Sequence, residues 1–380
     1  VADRVRGQQE QQQPEADEHT MNASARPDSM PARTDAELIS CATARTLPGL
    51  FARRLALTPR RIAYRQYEHQ SWREYSWRSL AEPIVRWQQA LSSEGLTAGE
   101  RVAVSLPNGV DWVCFDQAAL GLGLVTVPLY NTDSPGNMAH ILEDSDARLL
   151  LLDSDSQWLP LSPMRERFPG LRRVVCRQVD GRSDDGLIRH VGDWLPAAAG
   201  TPATGINDPD ALATLIYTSG TTGPPKGVML SHRNILCNAE AVLRRIPALP
   251  ADCFLSFLPL AHAFERTVGY YLPMMAGCSV SYARSIEQLR DDLLTVRPTV
   301  ILSVPRVYDK IYLAIQAKLG DAGLKRRLFD KTVALGWQRF EASHGRAERP
   351  GIGERALWAL LRPLVARPVL ERLGGRLRVA

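Results

Sequence analysis

Hydrophobic and polar positions follow two rhythms along this chain. From 46 to 59, Leu50, Phe51, Leu55 and Leu57 recur at helical spacing. Segments 62–67 (IAYRQY) and 73–77 (REYSW) alternate residue by residue across a short loop, the pattern of a hairpin. The stretch 78–96 reads as a helix ending at Gly95. Short apolar runs at 101–107, 125–130 and 148–153 read as buried strands, and helical stretches at 109–124 and 134–147 separate them. Strand and helix in strict alternation predict an α/β fold, a parallel sheet with helices on its faces.

The second half keeps this style. Runs 211–218 and 227–232 predict two strands, followed by a helix with Ser231 as its N-cap. Ile235, Leu236, Ala239, Val242, Leu243 and Ile246 form its apolar stripe. Further strands are expected at 253–260 and 299–304, with helices at 265–277 and 285–298. Residues 310–372 read as mostly helical and arginine-rich, and no fixed-period repeat appears. Residues 1–35 are rich in Gln, Glu, Asp and Pro and almost free of large apolar side chains. They cannot bury enough surface to offset chain entropy, and are expected to be a disordered tail. The chain opens on Val1, with Met21 and Met30 as candidate starts further in. The expected organisation is therefore this tail, a first α/β subdomain over 36–200 and a second over 201–380.

Composition narrows the function classes. Apolar residues make up 45 % and charged residues 23 % of the 380, an ordinary globular balance. No run of about eighteen apolar residues exists and no signal core opens the chain, so a cytoplasmic protein is expected. The six cysteines are scattered with no Cys-x-x-Cys pair, so neither a metal site nor a disulfide framework is indicated, and free thiols are expected. The net charge of +5 is mild, and no zinc-finger or RNP-type motif accompanies it, so no nucleic-acid partner is assigned.

The stretch with the most chemistry is IYTSGTTGPPKGVMLSHRN, residues 216–234. Glycines let successive backbone N–H groups turn inward around an anion, because they tolerate positive φ. Thr218, Ser219, Thr221 and Thr222 add hydroxyl donors, Gly220 and Gly223 add freedom, and Lys226 adds a mobile positive charge. The loop suits a polyphosphate. It is not a Walker loop, since Pro225 stands where glycine should precede the lysine and Pro224-Pro225 blocks the following helix. Nor is it a dinucleotide fingerprint, which needs Gly-x-Gly-x-x-Gly. It reads as the tip of a hairpin between 211–218 and 227–232.

This stretch resembles the signature of the adenylate-forming (AMP-binding) superfamily, which includes acyl-CoA synthetases, peptide-synthetase adenylation domains and luciferases. The resemblance extends over roughly 45–380 and implies two stacked parallel-type sheets with helices on their faces. It implies that Thr218, Ser219, Gly220, Thr221, Thr222, Gly223 and Lys226 hold the β- and γ-phosphates of ATP, with Mg²⁺, and that coenzyme A accepts the acyl group. Segment 257–280 resembles the next family motif, which would put His262 at the junction of acyl group and adenylate with Phe264, Glu265 and Arg266 nearby. On spacing alone, His262 reads first as a packed histidine at a helix start; it is the resemblance that favours the functional role. Segment 299–312 resembles the next block of the long-chain subgroup, leaving Arg306 either structural or at the floor of the acyl site.

The helical insert over 310–380 resembles long-chain fatty acyl-CoA synthetases. Thirteen basic against six acidic residues from 321 to 380 suit either a solvated face or peripheral contact with an anionic membrane. The family's later motifs, including the Tyr-Gly-x-Thr-Glu block, the ribose-binding Asp and the lid domain with its catalytic Lys, do not occur. The expectation is an N-terminal portion of a fatty acid–CoA ligase that does not turn over alone. The alternatives are a ligase serving a carrier protein and a non-catalytic nucleotide-binding module.

Overall fold

The computed structural model describes residues 37–179, 181, 186–197, 200–205, 207–218, 223–319 and 323–380. The expected disordered tail, 1–35, lies outside the described residues. Two sheets organise the rest. The larger has seven strands in the order β7-β6-β5-β3-β4-β8-β9: β3 (Arg101–Ser105), β4 (Val125–Pro128), β5 (Ala147–Ser154), β6 (Arg173–Gln178), β7 (Ile188–His190), β8 (Leu212–Thr218) and β9 (Lys226–Ser231). All pair in parallel except β8 with β9. The smaller has the order β12-β10-β11-β1-β2: β1 (Ile62–Glu68), β2 (Ser71–Ser76), β10 (Cys253–Ser256), β11 (Ser279–Tyr282) and β12 (Val300–Ile301). Here only β1 and β2 run antiparallel. Each sheet is thus parallel with one hairpin at its edge.

The helices are α1 (Cys41–Ala44), α2 (Leu47–Leu57), α3 (Trp77–Ser93), α4 (Val110–Gly121), α5 (Pro135–Ser145), α6 (Val191–Trp194), α7 (His232–Arg245), α8 (Leu272–Ala276), α9 (Leu289–Val296), α10 (Pro305–Leu319), α11 (Leu324–Ser343), α12 (Ile352–Leu361) and α13 (Arg367–Glu371). A π-helical stretch, Glu265–Tyr271, leads into α8. Alternation along β3 shows the layering. Val102 and Val104 join the core that also holds Trp87, Phe115, Leu236, Tyr270 and Val280, between the two sheets. Ala103 points the other way, to a second core with Met138 and Leu142 of α5. Strands buried on both faces explain the continuous apolar runs in the sequence.

The sheets do not divide at residue 200. The hairpin β1–β2 completes the smaller sheet by pairing with β11, and β8–β9 completes the larger by pairing with β4. Hydrophobic runs locate strands but carry no information on which sheet receives them. The predicted N-cap is present: Ser231 Oγ accepts the Asn234 N–H, and the Asn234 side chain accepts the Ser231 N–H. The edge strand β12 is extended by the chain end, where the Arg378 N–H donates to Thr299 O and Val379 bridges Val300 in parallel.

Candidate active site

The hairpin β8–β9 is fixed from both legs onto α5. Tyr217 pairs with Gly227 and Thr218 with Lys226 across the ladder. Tyr217 Oη donates to Asp144 Oδ2 at 2.6 Å, and His140 Nε2 donates to Pro225 O at 3.0 Å. Residues 140 and 144 are one turn apart, so a single face of α5 grips both legs. Gly227 fits closely into this arrangement: a Cβ there would sit 3.0 Å from the Tyr217 ring, which would have to give by a few tenths of an ångström. Gly223 has φ +108°, a conformation that side chains resist. Ser219, Gly220, Thr221 and Thr222 lie outside the described residues. Thr218, Gly223 and Lys226 are exposed, open to a ligand from solvent.

A cavity of about 470 Å³ opens beside this tip. Ile216, Tyr217, Thr218 and Pro225 form one wall, Pro128 to Tyr130 another, and His262 with Ala263 a third. A second cavity of about 260 Å³ shares Leu129 and Tyr130 and runs past Leu106, Ser256 and Ala283. Both therefore lie where β3, β4, β8, β10 and β11 end at their carboxyl edges, the usual ligand position in open parallel sheets. His262 is exposed, and its Nδ1 accepts the Phe264 N–H at 3.2 Å. The neutral ring then carries its proton on Nε2, leaving that nitrogen a donor.

The structure brings Thr218, Pro225 and His262 around one cavity; Lys226 adjoins it through Pro225 and its ladder partner Thr218. It does not bring in every expected neighbour. Phe264 is 43 % exposed and lines neither cavity. Arg306 is exposed on α10 and lines neither. Glu265 faces the interior at the start of the π-helical stretch and is 1 % exposed. There Ser256 Oγ donates to Glu265 Oε1 at 2.6 Å, and Asn108 Nδ2 donates on to Ser256 Oγ at 3.1 Å.

Burial pushes the Glu265 carboxyl up to about 8. A carboxyl that binds its proton more tightly when folded stabilises the fold fully below its unfolded pKa, and loses that contribution as pH rises to the folded value. Stability should therefore fall between about pH 4.5 and 8 by on the order of 1 kcal/mol per pH unit at the steepest. Glu265→Gln should flatten that slope, as read from urea midpoints across the window; equal slopes in both proteins would rule it out.

Sequence reasoning missed a buried network behind the site. The guanidinium of Arg266 bonds to Asp116 of α4, to Thr214 Oγ1 of β8 at 2.7 Å and to Thr126 Oγ1 of β4 at 2.7 Å. Tyr271 Oη donates to the other Asp116 oxygen, and the indole of Trp112 lies 5.2 Å from the guanidinium. Burial opposes the charge on Arg266, but Asp116 and Tyr271 outweigh it, so its pKa is raised. His140 and Asp144 were equally invisible as site residues; their one-turn spacing on a polar face was the only trace.

Among the described residues no group of three His, Cys, Asp or Glu side chains could hold a metal ion, and no helix is long and apolar enough to cross a membrane.

Comparison with known proteins gives a consistent result. The profile of the family described as AMP-binding enzyme matches residues 51–348. A long-chain-fatty-acid–CoA ligase of Mycobacterium bovis is 32 % identical over 331 residues, covering 85 % of this chain and 53 % of the ligase. The peroxisomal long chain acyl-CoA synthetase 7 of Arabidopsis thaliana is 30 % identical, covering 80 % of this chain and 44 % of the synthetase. The chain thus spans about half the length of the curated relatives it matches. Among solved structures, an anthranilate CoA ligase in complex with anthranoyl-AMP superposes with a TM-score of 0.60 at 22 % identity, covering 70 % of this chain and 51 % of that one. The likeness to that structure is one of fold.

Proposed function

The chain belongs to the AMP-binding enzymes, and from that premise we propose that it forms the ATP- and acyl-binding part of a long-chain fatty acid–CoA ligase of the cytoplasm. The observation that carries the reading is the shared cavity between the hairpin tip and His262. The tip residues Thr218 to Gly223 and Lys226 would hold the β- and γ-phosphates, offering backbone N–H groups, hydroxyls and one cation where charge accumulates on departing pyrophosphate. A fatty carboxylate oxygen would attack the α-phosphorus; the bond to the bridging oxygen breaks, and pyrophosphate leaves with the electron pair. The resulting acyl-AMP passes its acyl group to the thiol of coenzyme A, and AMP departs. His262, a donor at Nε2, would steady the carboxylate against the repulsion of the approaching phosphate.

Mg²⁺ would arrive with the triphosphate and shield its charge; no protein ligand set for it stands among the described residues, and no step is assigned through it. Coenzyme A is preferred to a carrier protein as acceptor because the two relatives compared above are named as a CoA ligase and an acyl-CoA synthetase.

The test is equilibrium binding to the 380-residue chain. Mg-ATP should slow amide exchange over 216–230 first, and a non-hydrolysable long-chain acyl-adenylate analogue should bind more tightly than ATP or fatty acid alone. Protection absent from 216–230 under saturating Mg-ATP would refute the assignment.

A further inference from the structure

Two of the six cysteines, separated by 196 positions, meet in the fold: Cys41 Sγ and Cys237 Sγ are 2.9 Å apart. Covalent closure to about 2.05 Å needs a movement of under about 1 Å. The approach is held from several sides. The Cys41 N–H donates to Glu240 Oε2 on α7 at 2.7 Å. On one flank of α1 the Ile39 N–H donates to Met275 O at 3.1 Å, and on the other the Leu47 N–H donates to His232 Nδ1 at 3.3 Å. The two sulfurs differ in access: Cys237 is exposed on α7, whereas Cys41 is buried beneath it. The remaining four, Cys114, Cys176, Cys253 and Cys278, are buried, and none has another cysteine sulfur as a hydrogen-bond partner among the described residues.

We propose that Cys41 and Cys237 are a dithiol modification site, closed to a disulfide by a low-molecular-weight disulfide of the glutathione class, which staples α1 to α7. The chemistry runs in two exchanges. The exposed Cys237 thiolate attacks one sulfur of the reagent, its S–S bond breaks, and one reagent thiol is released. Cys41 then attacks Cys237 Sγ, its proton passes to the second departing reagent thiolate, and the protein disulfide forms. The protein loses two hydrogens and the reagent disulfide is reduced to two thiols. Burial pushes the Cys41 thiol up to about 12, with the hydrogen bond to Cys237 adding to it, which leaves Cys237 as the first nucleophile. The staple would tie the start of the described chain to the helix that Ser231 caps directly after the phosphate hairpin.

Oxidised glutathione added to the intact chain, followed by digestion without reductant and mass spectrometry, tests this. The expected product is a peptide pair linking Cys41 to Cys237, with a melting temperature raised by several degrees, because the closed loop is long. Cys41→Ser should stop at a mixed disulfide on Cys237, and Cys237→Ser should give no linkage. Cys237 is exposed, so that variant should fold as the parent does. Glutathione retained on Cys237 of the parent protein, or linkage of Cys237 to a second chain, would overturn the proposal, as would equal yields of the Cys41–Cys237 peptide from folded and guanidinium-unfolded protein.

Discussion

Lys226→Ala is expected to weaken Mg-ATP binding by roughly ten- to a hundredfold while leaving the fold intact. The lysine sits exposed at the first position of β9, opposite Thr218, with no salt bridge to hold it elsewhere among the described residues. Its removal costs no packing and no native ion pair. The loss is that of a charge-assisted hydrogen bond to phosphate, about 1.5–3 kcal/mol. Two comparisons separate this from a general disturbance of the hairpin. AMP has no β- or γ-phosphate, so its affinity should be indifferent to the substitution. Lys226→Arg keeps the charge and should recover most of the ATP affinity. Titration calorimetry of the three proteins with both nucleotides decides it: equal losses for ATP and AMP would place Lys226 in the scaffold instead.

How much of this was legible in the sequence depends on the range of the interactions involved. The hairpin 211–232 and its cap were readable because their determinants are local: short apolar runs, glycines at the tip between them, and Ser231 directly before the apolar stripe of a helix. The strands β6 and β7 were not predicted. They lie in a stretch interrupted by charged residues such as Arg173 and Arg177, whose side chains reach out to Glu94, Asp111 and Asp153. The allocation of β1–β2 to the second sheet was equally unreadable, since it rests on pairing with β11, more than two hundred positions away. The site divides the same way. The tip announces itself by composition, whereas His140 and Asp144 acquire meaning only once α5 is packed against the hairpin. Glu265 and Arg266 are adjacent in a motif but meet quite different surroundings, because successive residues on a helical turn point in different directions, one to Ser256 and the other to Asp116.

That last pair sets the largest stability effect to be expected. Asp116→Ala should lower the stability of the chain by about 3–5 kcal/mol, because it leaves the Arg266 guanidinium buried without its counter-charge. Both side chains are 1 % exposed, so water cannot take the carboxylate's place without opening the core. The two threonines stay bonded to Arg266 but carry no charge, and Tyr271 loses its acceptor as well. Since Arg266 keeps its proton at any ordinary pH, the loss should be nearly flat from pH 5 to 9, unlike the sloping contribution of Glu265. Urea midpoints across that range distinguish the two. The double replacement Asp116→Leu with Arg266→Met removes both charges and should recover a large part of the loss, since a buried pair is often no more stabilising than apolar groups of similar size. A double variant as unstable as Asp116→Ala alone would mean that the network is needed for its hydrogen bonds to β4 and β8. In that case Arg266 clamps β4 to β8 at the paired residues Thr126 and Thr214, two positions before the strand residues that line the cavity, and Mg-ATP protection of 216–230 should weaken along with stability.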